Sequence, residues 1–366
     1  MRPIHYLGVF IVVAVVLRFA DASPTLIFAS AALAVIPCAA VMGEATEAIA
    51  SRTGPGIGGL LNVTFGNAPE LIIAFFALLE GLQEVVKASL VGSVIGNILL
   101  VMGASMLVGG LPREKQTFSQ TMANSQCAML MLAVAAMIFP AVFQLVHGGG
   151  LPLIGDERTD FGSEVEKVSF GVAIVLLASY IAGLFFSLKT HRDVFNPYLA
   201  HPERAPAHTR EVHPWSVRTA ILVLAVAAVL VGIMSEILVG SIEDAAHAVG
   251  LSDFFVGVFV VAIVGNAAEH WVAVMVAIKD DMDLSVNIAI GSSAQVALFV
   301  APVLVLASFV FGPGPMALVF NGYELAGLLF AVLIANLVTQ EGESNWFEGV
   351  QLLAMYAVLG LVFYFA

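Results

Sequence analysis

Charge is what this sequence has least of. Asp, Glu, Lys and Arg make up 11 % of its 366 residues, against about 25 % in an ordinary soluble domain. The 14 basic residues are outnumbered by 27 acidic ones, and the formal net charge of −13 argues against nucleic acid as a partner. Cysteine is scarce too. Cys38 and Cys127 both lie inside apolar runs, which excludes a disulfide framework or a thiolate zinc cluster and leaves two small buried hydrophobes. Also missing are His-Glu-x-x-His, Gly-x-Ser-x-Gly and a phosphate-cradling glycine loop ending in Lys-Ser or Lys-Thr. The chain therefore carries no familiar enzyme signature, and no catalytic residue or cofactor is assigned.

What the sequence does have is apolar length: hydrophobic types make up 60 % of it. Runs long enough to span a bilayer fall at about 4–20, 25–49, 57–79, 86–110, 121–146, 166–188, 216–240, 252–278, 284–311, 316–338 and 347–366. These eleven runs predict an all-α polytopic membrane protein, broken at "SRTGPG", "LPREKQ", "HGGGLPLIGDERTD", "KDDMD", "FGPGP" and "TQEGESN". Residues 1–22 read as an uncleaved first membrane helix, although their basic start and Ala20-Asp21-Ala22 resemble a signal peptide.

With the N-terminus inside, the inner segments hold ten basic residues: Arg2, Arg52, Arg113, Lys115, Lys189, Arg192, Arg204, Arg210, Arg218 and Lys279. The outer side holds Arg18, Lys87, Arg158 and Lys167. That bias puts the N-terminus in the cytoplasm and the C-terminus outside, and the compact termini point to a bacterial inner membrane.

The second half echoes the first. "FGNAPEL" at 65–71 returns as "VGNAAEH" at 264–270, so Gly66, Asn67 and Glu70 recur 199 residues later as Gly265, Asn266 and Glu269. Gly92-Ser93 recurs at the same offset as Gly291-Ser292, and "MGE" ending in Glu44 resembles "MSE" ending in Glu236. Five predicted helices per copy, an odd number, force the copies into opposite orientations: 23–188, then a linker over 189–215, then 216–366. Inverted repeats with matched, weakened helices indicate a secondary transporter with its site near the midplane.

A bare carboxylate at the bilayer centre costs about 2.5–3.5 kcal/mol even on insertion scales, so Glu70 and Glu269 need a reason. Gly-Asn loosens each helix, and Pro69 removes a further backbone donor from the first. Asn67 and Asn266, with Ser93, Asn97, Ser292, Ser293 and Gln295 on the following helices, add neutral oxygens to the two carboxylates. Such a hard, oxygen-rich, doubly negative set suits calcium, which takes about 6–8 oxygens. Without the cation, two carboxylates in a dry site must be neutralised by protons, so cation and protons compete for the same oxygens. A site too costly to cross empty gives obligatory exchange rather than a leak. The alternative, two structural ion pairs, does not explain why the glutamates occupy matched positions.

These residues carry a resemblance. "RTGPGIGGLLNVTFGNAPELI" at 52–72, "GSVIGN", "GNAAEH" and "GSSAQ" resemble the calcium/proton exchanger family of the calcium/cation antiporter superfamily, over nearly the whole chain. The resemblance implies that Glu70 and Glu269 bind the cation and exchange it for protons. It implies that the asparagines and the polar residues named above are ligands or hydrogen-bond partners. Helices 2 and 7 are then mobile gates, with Glu44 and Glu236 as proton-relay or gating candidates. Partners are calcium, protons and the lipid bilayer, and nothing in the residues specifies an oligomer. Sodium/calcium exchangers of the same superfamily favour Gly-Thr-Ser and Ser-Asn wording, which these motifs lack. A manganese or cadmium exchanger is a third reading. A channel would need acid rings from several subunits.

Several residues stand a tier lower. His270, where the first copy has Leu71, either shares the proton load or bonds a neighbouring helix. Asn321 and Glu324 are expected within the tenth helix as possible cavity lining. Asp156, Glu157, Asp160, Glu164 and Glu166 form an acidic outer loop. The family's acidic strip between the halves is replaced by a linker with four histidines, His191, His201, His208 and His213, read as a solvated basic segment.

Overall fold

A computed structural model describes residues 3–155, 161–190 and 215–366, with the backbone alone for 3, 54–60, 62 and 63. The linker histidines, Arg2, Arg158, Asp156, Glu157 and Asp160 lie outside the described residues. The fold is helical. In chain order its helices are α1 (Val9–Phe19), α2 (Pro24–Gly66), α3 (Ala68–Leu79), α4 (Gln83–Gly110), α5 (Gln120–Val146) and α6 (Glu164–Thr190). The second half supplies α7 (Val217–Val239), α8 (Ile242–Val249), α9 (Asp253–Ile278), α10 (Met282–Ser308), α11 (Gly322–Thr339) and α12 (Trp346–Phe365). Among the described residues nine helices are long and apolar enough to cross a membrane, and Ile4–Phe19 and Ala68–Leu79 are shorter apolar helices.

The first interruption lies elsewhere than predicted. The glycines and proline of "SRTGPG" do not end α2, which runs on to Gly66. The break comes at Asn67, whose φ of −94° and ψ of 15° are non-helical. Pro69 then sits in the first turn of α3, where a missing N–H costs nothing. The matching position in the second copy is Ala268, and there α-helix continues unbroken over Ala262–Ile278. The expected pair of broken helices is therefore one break and one continuous helix, and the proline makes the difference.

Two helices, α4 and α10, are the most enclosed. Each contains a widened π-turn stretch, Gly96–Val101 in α4 and Val296–Val300 in α10, a feature that often marks function. They run antiparallel. At the end of α4, Arg113 donates to Ile278 O at 3.2 Å and pairs with Asp280 at 3.2 Å, just before α10 begins. At the other face Gln83 and Lys87 donate to Gly314 O at 2.8 Å and Val319 O at 3.1 Å, just after α10 ends. Opposed courses are what inverted copies require. A two-residue antiparallel ladder, Gln116–Thr117 with Glu343–Ser344, ties the α4–α5 and α11–α12 loops together.

Residues 316–321, predicted as the start of the tenth helix, precede it. Asn321 and Glu324 form a reciprocal capping box at the start of α11, Asn321 Oδ1 accepting from Glu324 N at 2.9 Å and Glu324 Oε2 from Asn321 N at 2.8 Å. Their observed role is to start a helix. Glu164 and Glu166 are likewise engaged, with Lys167 at 2.8 Å and Gly162 N at 2.7 Å.

Packing is close where glycines meet backbone. A Cβ on Gly349 of α12 would stand 2.3 Å from Leu107 N and 2.6 Å from Gly103 O of α4. We expect Gly349→Ala to force α12 off α4, at a cost of about 1–3 kcal/mol. The check is a lowered Tm of the purified protein in detergent, with Gly8→Ala, which meets nothing within 4 Å, as the neutral control.

Candidate functional site

The breaks, glycines and π-turns converge on the two glutamates. Glu70 lies in the first turn of α3 and is buried, and Glu269 lies in the middle of α9 and is partly accessible. Each glutamate runs past the other copy's glycine. A Cβ on Gly66 would stand 3.1 Å from Glu269 Oε1, and one on Gly265 would stand 3.2 Å from Glu70 Cγ. The sequence-matched Gly-Asn pairs thus leave room for the opposite carboxylate.

Around Glu269 the polar groups form a network. Ser292 Oγ on α10 is 2.7 Å from Glu269 Oε2 and 3.0 Å from Asn67 Oδ1, and Asn67 Nδ2 donates to Gln295 Oε1. In the other half Asn266 Nδ2 donates to Ser93 Oγ at 3.0 Å and to Ala262 O at 2.9 Å. His270 Nε2 meets Asn97 Oδ1 at 2.9 Å, which links α9 to the π-turn stretch of α4. Seven of the predicted residues, Asn67, Ser93, Asn97, Asn266, Glu269, Ser292 and Gln295, are joined in this way, and His270 with them.

Glu70 differs. Both of its carboxylate oxygens are buried, without a hydrogen-bond partner among the described residues. Beside it lies a void of about 10 Å³, lined in part by Glu70, Ser89 and Ser93, room for about one water or one stripped ion. A buried carboxylate so left costs several kcal/mol unless a proton or cation satisfies it. Asn266 Oδ1 and Asn97 Nδ2 are also buried and without a partner among the described residues.

Three predicted residues stand apart from this network. Ser293 Oγ turns back to Ala289 O on its own helix at 2.9 Å, because the neighbouring position, Ser292, holds the face toward the glutamates. Glu44 pairs with His5 at 3.6 Å, and Glu236 is exposed on α7. Ser89, in the void's wall, was missed by sequence reasoning. The signal was available, since Ser89 lies one turn before Ser93 on the same helix face.

The sodium/calcium exchanger protein family matches residues 23–189 and 219–365. The chain belongs to that family. It is 45 % identical over 357 residues to a Ca(2+)/H(+) antiporter of Aphanothece halophytica, covering 93 % of this chain and 90 % of the relative. It is 43 % identical to the Ca(2+)/H(+) antiporter ChaA of Bacillus subtilis, covering 92 % of each. Among solved structures, native YfkE superposes with a TM-score of 0.81 at 38 % identity over 98 % of both chains.

If the two glutamates hold a divalent cation, the reciprocal glycine contacts predict that Gly66→Ala and Gly265→Ala each displace a glutamate side chain and weaken its binding about five- to tenfold. Isothermal titration of the purified protein measures this, and equal loss from both substitutions is the expected result.

Proposed function

We propose that this protein is a secondary antiporter that exchanges calcium for protons by alternating access, with Glu70 and Glu269 as shared ligands. The observation that carries the reading is Glu70, a buried carboxylate with no hydrogen-bond partner for either oxygen among the described residues, set against a second glutamate from the matching motif. Two carboxylates balance a divalent ion, and the amide and hydroxyl oxygens of Asn67, Asn266, Ser93, Ser292 and Gln295 complete a hard donor set. The names of the relatives at 43 % and 45 % identity support the same cargo.

In this mechanism protons neutralise the pair when calcium leaves, and calcium displaces them when it binds. No covalent step is needed. The halves 23–188 and 216–366 rock about the shared site, Glu44 and Glu236 act in gating or proton relay, and 189–215 joins the halves in the cytoplasm. The family match, divided into 23–189 and 219–365, supports those boundaries. We place the protein in a bacterial plasma membrane with its N-terminus inside.

The test is calcium uptake into vesicles driven by a pH gradient. Glu70→Gln and Glu269→Gln should each reduce uptake at least about a hundredfold, and wild-type activity in either variant overturns the assignment. Uptake driven by a sodium gradient and not by protons would favour the sodium/calcium reading. Because protons compete with calcium, the half-saturating calcium concentration should rise as pH falls, about tenfold per unit for one competing proton and about a hundredfold for two.

A further inference from the structure

The two glutamates are met differently by the helices that follow them. Ser292 Oγ of α10 lies 2.7 Å from Glu269 Oε2. Its counterpart on α4, Ser93, is engaged by an asparagine instead, since Asn266 Nδ2 donates to Ser93 Oγ at 3.0 Å. Where Glu269 has a hydroxyl, Glu70 has the void of about 10 Å³ beside it. Its polar lining is Glu70, Ser89 and Ser93, and the rest of the wall is apolar, with Ile73, Leu90 and Val261 in it. That volume is room for about one water.

Ser89 is buried, and its Oγ donates to Val86 O at 2.9 Å. A hydroxyl has one hydrogen and two lone pairs, so Ser89 is left with only acceptor capacity for the void. Glu70, as a carboxylate, is also an acceptor, and neither of its oxygens has a hydrogen-bond partner among the described residues. A small void with acceptors in its wall selects an occupant that brings hydrogens or positive charge. One water does so. It gives one hydrogen to Ser89 and one to Glu70, and keeps its lone pairs for a cation.

The second copy lacks this seat. Gly92-Ser93 recurs as Gly291-Ser292, yet the residue 199 positions after Ser89 is Ile288, which has no hydroxyl to offer. Ser89 is therefore a departure from the repeat within one turn of a matched serine, and it stands in the wall of the void beside the unpartnered carboxylate.

We propose that Ser89 is a specificity-determining residue, which seats the single water that the cation keeps when it binds Glu70, and that the size of this seat favours calcium over magnesium. The inference rests on the reading of Glu70 and Glu269 as the cation site. Calcium takes about 6–8 oxygens in flexible geometry, so it accepts a mixed shell of carboxylates, neutral oxygens and one water. Magnesium demands a near-ideal octahedron and usually keeps several waters. Space for about one water admits the first arrangement and not the second. The apolar remainder of the wall gives further waters no partner.

The test is calcium uptake into proteoliposomes driven by a pH gradient, with magnesium as competitor, for the wild type, Ser89→Ala and Ser89→Val. It reads the KM for calcium and the ratio of the magnesium inhibition constant to that KM. Both variants lose the acceptor that holds the water, so the calcium KM should rise at least about fivefold in each. Ser89→Ala also adds the hydroxyl's space to the void, and its ratio should fall at least about fivefold. Ser89→Val fills the void with methyl groups, and its ratio should not fall. An unchanged calcium KM in Ser89→Ala overturns the inference, as does a ratio that stays constant in Ser89→Ala or falls alike in both variants. Should Ser89→Val fail to elute as a folded species, Ser89→Ala decides alone. Failure of the underlying reading shows separately, as wild-type protein that takes up no calcium under a pH gradient.

Discussion

The structure depends on a constraint of charge: two carboxylates held in a low-dielectric interior cannot both remain bare anions. At the separations such a site imposes, their repulsion adds to the cost of removing each from water. Everything around the pair either neutralises it or makes room for what does. Asn67, Asn266, Ser93 and Ser292 bring neutral oxygens and donors. The glycines of the two Gly-Asn motifs remove the side chains that would occupy the same space. Neither carboxylate oxygen of Glu70 has a hydrogen-bond partner among the described residues.

The same constraint explains why exchange is coupled. A site that could cross the membrane empty and charged would leak one substrate without the other. Because that state is the most expensive, the low-energy states are those with the cation bound or with protons bound. Coupling then needs no separate device. It follows from placing two acids where water is scarce, with neither in an ion pair among the described residues. His270, the residue after Glu269, is engaged with Asn97 Oδ1 at 2.9 Å.

Much of this was legible in the residues because the contrast is large. A glutamate within an apolar run stands out, and its recurrence 199 residues later within the same short motif ties two distant segments to one site. Less legible was anything set by neighbours rather than by the local run. Gly-Asn appears in both copies, and only the copy with Pro69 breaks. Ser292 and Ser293 are adjacent and chemically alike, yet helix geometry turns one to the glutamates and the other to its own backbone. Asn321 and Glu324 looked like cavity polar groups because hydropathy does not register a cap. Nor do matched positions reveal how tightly each copy is packed, since both carry Gly-Ser and only the neighbours distinguish Gly92 from Gly291.

That last asymmetry bears on how the motion must run. Gly92 is pressed onto the Val258 carbonyl while its counterpart Gly291 faces only side-chain amides. If the copies interchange roles, α9 must lift from α4 and the first copy must close on α10. The residue 199 positions before Gly257 is Gly58, beside Gly59, so the first copy has the small residues that a backbone-close contact with Gly291 requires. The amide pair of Gln126 and Asn287 would have to yield that space, since an added Cβ on Gly291 already meets both side chains within 3.5 Å. Side-chain amides can swing away where a backbone carbonyl cannot. The matched glycines are therefore packed by different means, a backbone carbonyl against Gly92 and side-chain amides against Gly291, although the sequence that builds them is repeated.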